Sequence, residues 1–576
     1  MSSLYIGASG LQTSQNALNT TAHNLSNTDT VGYVRQQVQQ SSKSYVTISK
    51  TASAVAYQQS GLGVSYSRVK QVRDYFLDKT FRKESGRSMF YEVTSNVMEE
   101  VESQLGEMNG EAFQGTMSHL WTAVQELAKD PASSVTQGLL VQRASEFVER
   151  AIAVYDGLSS YQDNLNRQIL QKVDMINDYG KEILDLNERI TAIECGGVEH
   201  ANDLRDVRDR MLDELGELAK ISFQEDAWGA VSVKIEGVDF VKGDICYEMG
   251  LDVDEATGFY TPFWPQNASY TVQEDGSRKY RIDGAKVFNL DIEISSDLDT
   301  DIGGLKAMLL ARGDHRADYT DLDPERYDGV SQSVVMNIQA EFDQLIHNVV
   351  TKINSILADA AGVQQGDLEI RNEDGTTETL KNARFVESVD EGYMRDESGA
   401  PIRMFDKITT DAYRQVTGTD GKTYWVYNEE DVSAQDSLYT LKNLRINQEL
   451  MQKPSSLGFR LEDGSEDQAT ADALKAAFTE EIYTLNPNVQ KKTTFNDYYS
   501  DMVSQVANTG YVSRSIYESQ QNTVESVECA RSQVIGVSSD EELSNMIKFQ
   551  NAYNASSRYI NAISEMLEHI INTLGV

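Results

Sequence analysis

The chain has 576 residues, too many for one ordinary core, so two to four domains are expected, together burying about three quarters of the unfolded surface. Asp and Glu number 90 against 51 Lys and Arg, a formal charge of −39 that repels nucleic acid and anionic membrane surfaces. Apolar residues make up 40%, yet no window approaches the roughly 18 uninterrupted ones that a membrane-spanning helix needs, so no membrane insertion is expected.

The N-terminal stretch MSSLYIGASGLQTSQNALNTTAHN has neither the basic n-region nor the apolar h-region of a secretory signal peptide, which leaves the cytoplasm or a non-standard export route. Leu4, Leu11, Leu18 and Leu25 recur every seven residues, with Ala8 and Ala22 four places after the first and third. That seam predicts one helix over the first 27 residues. Between Ser85 and Leu127 two amphipathic helices are expected, the second stopped by Asp130 and Pro131. From about Ser133 to Ile193 apolar residues such as Leu158, Leu165, Ile169, Val173, Ile176 and Ile183 keep helical spacing, a rod of about 90 Å at about 1.5 Å per residue. After a break at Gly196 and Gly197, another helix is predicted over about 203–219.

The pattern changes after Lys220. Val231, Val233 and Ile235 alternate, as do Leu290, Ile292 and Ile294, so residues 221–299 are expected to be β-rich. Helical steps return from Val335 to Ile356. Residues 361–484 are polar and acidic, with Gly, Asp and Thr clusters around short candidates such as Thr423–Tyr427, and predict a further inserted domain. A last rod runs from about Phe495 to Ala530 through Met502, Val506, Val512 and Ile516. In the final 35 residues Met546, Tyr553, Ile560, Leu567 and Leu574 again fall seven apart, with Phe549, Ile563 and Ile570 between them. Residues 1–50 carry net +2 and 530–576 net −2, so the ends cancel and the whole excess of acid lies between them. One such stripe is ordinarily a helix packed on its own core. Two, running to both extreme ends where domains usually fray, point to terminal helices that pair with each other and with neighbouring subunits.

Signatures of chemistry are missing. HExxH, P-loop, GxSxG and GxGxxG do not occur, and the histidines 23, 119, 200, 315, 347 and 569 are scattered, so no catalytic residue, cofactor or metal site is expected. Cys195, Cys246 and Cys529 have no paired spacing and are expected to be small buried hydrophobes. Asp297, Asp299 and Asp301 suggest a calcium loop, but the sixth and twelfth places hold Ile302 and Met308 instead of glycine and glutamate, which leaves an acidic surface turn. Arg312, Gly313 and Asp314 spell a tripeptide read by some cell-surface receptors and sit where a helix should end.

Residues 22–37, AHNLSNTDTVGYVRQQ, place Asn24, Asn27, Thr28, Thr30, Gly32 and Tyr33 in a turn after the first helix. Asn and Gly suit the positive φ such a turn needs. This segment resembles the N-terminal signature of the flagellar rod, hook and hook-associated axial proteins, with Val31 where the family often carries proline. DEELSNMIKFQNAYNASSRYINAISEMLEHIINTL, from Asp540 to Leu574, is similar to the family's C-terminal end, and Asp203–Leu215, DLRDVRDRMLDEL, to a helix of its hook-associated branch.

The resemblance, covering half to two thirds of the chain, implies a multidomain α+β structural protein rather than an enzyme. Heptad helices 1–50 and 530–576 would pair in a terminal polymerisation domain, residues 51–220, 300–360 and 485–529 would form a long-helix bundle, and 221–299 and 361–484 would be inserted outer domains. Subunit assembly falls to the two stripes, Leu4, Leu11, Leu18, Leu25, Met546, Phe549, Tyr553, Ile560, Ile563, Leu567, Ile570 and Leu574. The implied partners are further copies of the chain in a helical array, hook protein, hook-associated protein 3, the filament cap during assembly, and a cytoplasmic export chaperone at the C-terminal helix. The implied place is the extracellular hook–filament junction, reached without a cleaved signal peptide. Another axial component, or a secreted adhesin using the acidic inserts, would share parts of this pattern.

Overall fold

The computed structural model describes residues 2–30, 32–50, 57–106, 113–196, 199–273, 278–372, 376–389, 394–461 and 463–574. Val31 and Gly197 lie outside the described residues.

The first heptad stripe forms helix α1, Ser2–Ser26. The chain then becomes extended. Strand β1 (Gln36–Ser42) is followed by β2 (Val46–Lys50), β3 (Tyr57–Ser60) and β4 (Val64–Gln71), with β1 antiparallel to β4 and β2 to β3.

Helix α2, Tyr75–Leu105, starts at Asp74, whose carboxylate accepts the N–H groups of Phe76 and Leu77, and stops at Gly106, which takes φ 79°. Helix α3 covers Phe113–Leu127, α4 runs 61 residues from Ser134 to Glu194, and α5 spans Asn202–Leu218. Further along come α6 (Gly304–Arg312), the single turn α7 (Tyr327–Val330) and α8 (Val334–Ala360). The apolar stripes of α2, α3, α4 and α8 close on one continuous core. At its centre the Phe113 ring lies 5.4 Å from that of Phe147, 5.0 Å from Phe342 and 5.2 Å from Tyr499.

Residues 221–273 and 278–281 form small antiparallel sheets. Strands β5 (Ile221–Glu225), β6 (Val231–Ile235), β7 (Val238–Lys242) and β8 (Ile245–Cys246) make a meander, followed by the pairs β9 (Gly250–Val253) with β10 (Tyr260–Phe263) and β11 (Ser269–Val272) with β12 (Arg278–Arg281). Val231, Val233 and Ile235 are buried in alternation, as their spacing predicts. The second alternating segment does not form a strand: residues 289–300 run in bends and turns, with Ile292 exposed. Alternation alone cannot hold a strand that lacks a ladder partner.

The insert after α8 carries a four-stranded antiparallel sheet ordered β13 (Gln364–Arg371), β14 (Thr377–Glu387), β17 (Thr423–Tyr427), β16 (Tyr413–Thr417), and a second pair, β15 (Phe405–Lys407) with β18 (Leu444–Ile446). Short helices α9 (Gln448–Gln452) and α10 (Gln468–Ala477) return the chain to the rods. Helix α11, Phe495–Ile535, buries Phe495, Tyr498, Tyr499, Met502 and Val506 in the core. Beyond them Val512 and Ile516 are exposed, because from there α11 lies chiefly against α2 alone. The last stripe forms α12, Ser539–Leu574.

Two local expectations are corrected. Cys195 and Cys529 are exposed and Cys246 is half-buried, so the cysteines are not core residues. The acidic turn is not a surface feature throughout: Asp301 is fully buried and accepts hydrogen bonds from Arg87, Tyr91 and Ser296. The turn's third aspartate is therefore an anchor for α2 rather than a solvated charge.

Candidate assembly site

Helices α1 and α12 lie side by side and antiparallel, and small residues set their distance. A Cβ on Gly7 would fall 2.7 Å from Cγ1 of Ile560, and one on Gly10 would fall 2.8 Å from Oγ of Ser556. The most buried residues of α1 are accordingly Gly7, Ser9, Thr13, Ser14, Ala17, Thr21 and Asn24, while Ala8 and Ala22 are exposed. Leu4, Leu11, Leu18 and Leu25 are only half-buried, and so are Met546, Phe549, Tyr553, Ile560 and Ile563. Leu567 is 39% and Ile570 50% exposed, and Met566 and Ile571 beside them are 65% and 67% exposed. The contacts of Gly7 and Gly10 set a register in which α12 runs about two turns past the start of α1. The side chain of Leu574, at the end of this overhang, lies outside the described residues.

The turn after α1 is built around Asn24, which is 1% exposed. Its amide nitrogen donates to the Gln36 carbonyl at 2.8 Å, and its oxygen accepts from the Gln36 N–H at 3.0 Å and the Tyr33 hydroxyl at 2.8 Å. One side chain thus pairs both backbone groups of Gln36 and fixes where the extended segment begins. Asn27 donates to the His23 carbonyl and accepts from Thr30, and Thr28 donates to the Leu25 carbonyl. Gly32, at φ 79°, takes the left-handed conformation, so the asparagines act through their side chains instead.

This turn is seated on α5. The Val34 N–H donates to the Asp206 carboxylate at 3.3 Å, which also accepts from the Gln71 amide at 2.6 Å. Gln36 donates to Asp203. Burial pushes the Asp206 carboxyl up to about 7, with the Val34 N–H and Arg73 opposing the shift and Asp209 and Asp203 reinforcing it. Burial, then the nearby Asp206, also raises the Tyr33 hydroxyl. Arg35 ties the two ends of the chain together. Its N–H donates to the Ile535 carbonyl at the end of α11, its carbonyl accepts from Val72, and its guanidinium pairs with Glu541 at 3.0 Å and Glu542 at 2.9 Å in the first turn of α12. Those acids also suit the positive end of that helix.

Below the turn, three arginines and three aspartates alternate in a closed ring. Arg73 pairs with Asp78 and Asp209, Arg82 with Asp209 and Asp213, and Arg531 with Asp213 and Asp78. Burial alone would raise the Asp209 carboxyl, but Arg73, Arg82 and Arg208 hold it below its usual range. The ring joins α2, α5 and α11. Helices α2 and α5 cross closely enough that a Cβ on Gly86 would lie 2.4 Å from the Gly216 carbonyl oxygen. Asp203, Asp206, Asp209 and Asp213, three and four residues apart, therefore form one acidic ridge of α5 that holds the turn and the rods. Sequence reasoning found α5 but not this ridge; its spacing, with Arg35, Arg73, Arg82 and Arg531 as the available cations, was the signal.

Elsewhere, the receptor-like tripeptide is split between surface and interior, with the Asp314 side chain 84% exposed and its arginine enclosed. Arg312 is 3% exposed and donates to Asn166 and to the Tyr260 carbonyl inside the fold. Among the described residues no cluster of His, Cys, Asp or Glu has a metal-binding arrangement, and no helix is long and apolar enough to cross a membrane.

Residues 98–369 match the family described as the flagellar hook-associated protein FlgK helical domain, 4–33 the flagella basal body rod protein family, and 533–573 the C-terminal family of the flagellar basal body rod FlgEFG proteins. The chain is 24% identical to flagellar hook-associated protein 1 of Bacillus subtilis over 98% of its own length and 97% of that protein. To the protein of the same name from Salmonella typhimurium it is also 24% identical, over 99% and 100%. Its fold is similar to that of the flagellar hook junction protein FlgK from Burkholderia pseudomallei, at a TM-score of 0.51 and 12% identity, covering 79% of this chain and 100% of that one.

Proposed function

We propose that the chain, similar over nearly its whole length to flagellar hook-associated protein 1, is a structural component of the flagellar axis and that its terminal hairpin builds it into the junction between hook and filament. One observation carries the assembly step: α1 and α12 are paired, yet both apolar stripes stay half-exposed and α12 ends in an uncovered run, Met566, Leu567, Ile570 and Ile571. At about 25 cal/mol per Å² of apolar surface, covering such stripes with neighbouring copies is the favourable term available to the array. Head-to-tail contacts of this kind propagate as a helix rather than closing as a dimer.

In this reading the ridge of α5 is the bracket that transmits the position of the hairpin to the rods, and the work is done by position rather than by catalysis. Copies of the chain would meet hook protein on one side and hook-associated protein 3 on the other, with the filament cap completing growth beyond it. The chain would travel unfolded through the flagellar export channel to the cell exterior, without a cleaved signal. Until then a cytoplasmic chaperone would cover the uncovered end of α12 in a helix-in-groove mode. Electron microscopy of a deletion strain, with flagellin assayed in the medium, tests the junction role. Hooks without filaments and flagellin lost to the medium are expected; filaments in normal number on normal hooks would refute it.

A further inference from the structure

Residues 30–73 contain no Asp or Glu at all, although 90 of 576 residues are acidic and a stretch of that length would carry about seven. The same stretch holds six cations, Arg35, Lys43, Lys50, Arg68, Lys70 and Arg73, in a chain of net charge −39. Its described residues carry the strands β1 to β4, the β1–β4 ribbon. Arg35 and Arg73 are used inside the molecule, against Glu541 and Glu542 and against Asp78 and Asp209. Lys43, Arg68 and Lys70 are exposed and make no ion pair among the described residues. Arg68 and Lys70 rim a cleft of about 380 Å³ whose far wall holds Glu194 and Glu225, but Arg205 already takes both carboxylates. Beside Lys43, Tyr45 and Val46 are 63% and 49% exposed. Tyrosine and arginine are the residues enriched where proteins meet, so exposed Tyr45 and Arg68 on one acid-free ribbon mark a contact surface.

We propose that the exposed β1–β4 ribbon, through Lys43, Tyr45, Arg68 and Lys70, docks on the acidic helical surface of a second copy of this chain. Charge complementarity selects that occupant. The ribbon removed, the remainder of the chain carries net −45, and α4 exposes Asp174, Asp178, Glu182, Asp185 and Glu188 within four turns; Arg189 pairs with Asp185, and the other four make no ion pair among the described residues, so this face stays acidic. The inference rests on the self-assembly reading above, and it adds a second contact that the hairpin does not supply.

Photo-crosslinking on the flagella of living cells tests it, with Tyr45→p-benzoylphenylalanine in one strain and Ile571→p-benzoylphenylalanine in another. A copy-to-copy adduct from position 45, attached within an acidic helix face, is expected. Lys43→Glu, Arg68→Glu and Lys70→Glu together should cut it about tenfold or more, since like charges then meet across the contact. Adducts between copies from position 571 but none from position 45 would overturn the ribbon contact and leave the hairpin assembly standing. An adduct at position 45 that the three reversals leave unchanged would overturn the ribbon contact as well. No copy-to-copy adduct from either position would overturn both.

Discussion

Arg531 donates to the Asp213 carboxylate at 2.6 Å across 318 positions of sequence, and this bond closes the ring that fastens α11 to α5. The arginine's side chain is 9% exposed and the aspartate's 16%, so neither charge is well solvated. Replacing Arg531 by Met leaves Asp78 and Asp213 short of a cation in a buried site, which costs about 3–5 kcal/mol. Urea unfolding of the full chain should show that loss. Arg189→Met, which breaks an exposed pair with Asp185, should cost under about 1 kcal/mol.

Asn24→Ala removes three hydrogen bonds at once and leaves the Gln36 N–H and C=O without their partner. With each buried orphan costing about 1–3 kcal/mol, the turn should loosen while the rods stay intact. Limited proteolysis should then cut between α1 and β1 much faster than in the parent chain, at an unchanged far-ultraviolet spectrum for the rods.

The carboxyl of Asp206 is raised to about 7, against about 3.8 for the free group. The folded chain therefore holds this proton where the unfolded chain has lost it. Stability from this group is fully present below about pH 4 and is lost as pH rises towards 7. Glu341 and Asp343, also raised to about 7 by burial, act in the same direction. Asp206→Asn should flatten part of the pH dependence of unfolding between 4 and 7; an unchanged slope would mean that the site is not protonated.

Gly10→Val should separate α1 from α12, since its Cβ would already sit 2.8 Å from Ser556 Oγ. Ser556→Gly in the same chain should restore part of the pairing. Hydrogen exchange on α1 measures both, with faster exchange in the single variant and partial recovery in the double.

The helices were legible because their stripes keep one period over many turns, from the 61 residues of α4 to the two heptad ends. The insert at 361–484 was not, because its strands owe their place to pairing between distant segments, as when Phe385 of β14 meets Val426 of β17. Asn24 and Gly32 stood out by composition and resemblance, but the seat of that turn on Asp206 did not. The partners there, Val34 and Gln71, are joined to it only by folding. The leucine seam pointed to the right helices, but not to the small residues, Gly7, Gly10 and Ser556, that set how closely α1 approaches α12 and leave the leucines half-exposed.

In the proposed assembly step the uncovered end of α12, Met566 to Ile571, builds the chain into the flagellar axis. Purified chain added to isolated hooks from a deletion strain bypasses export and tests it by electron microscopy. The parent chain should cap the hook ends, and a variant with Ile570→Asp and Ile571→Asp, unfolding at the same urea midpoint, should leave them bare. Equal decoration of the hooks by that variant would contradict the account.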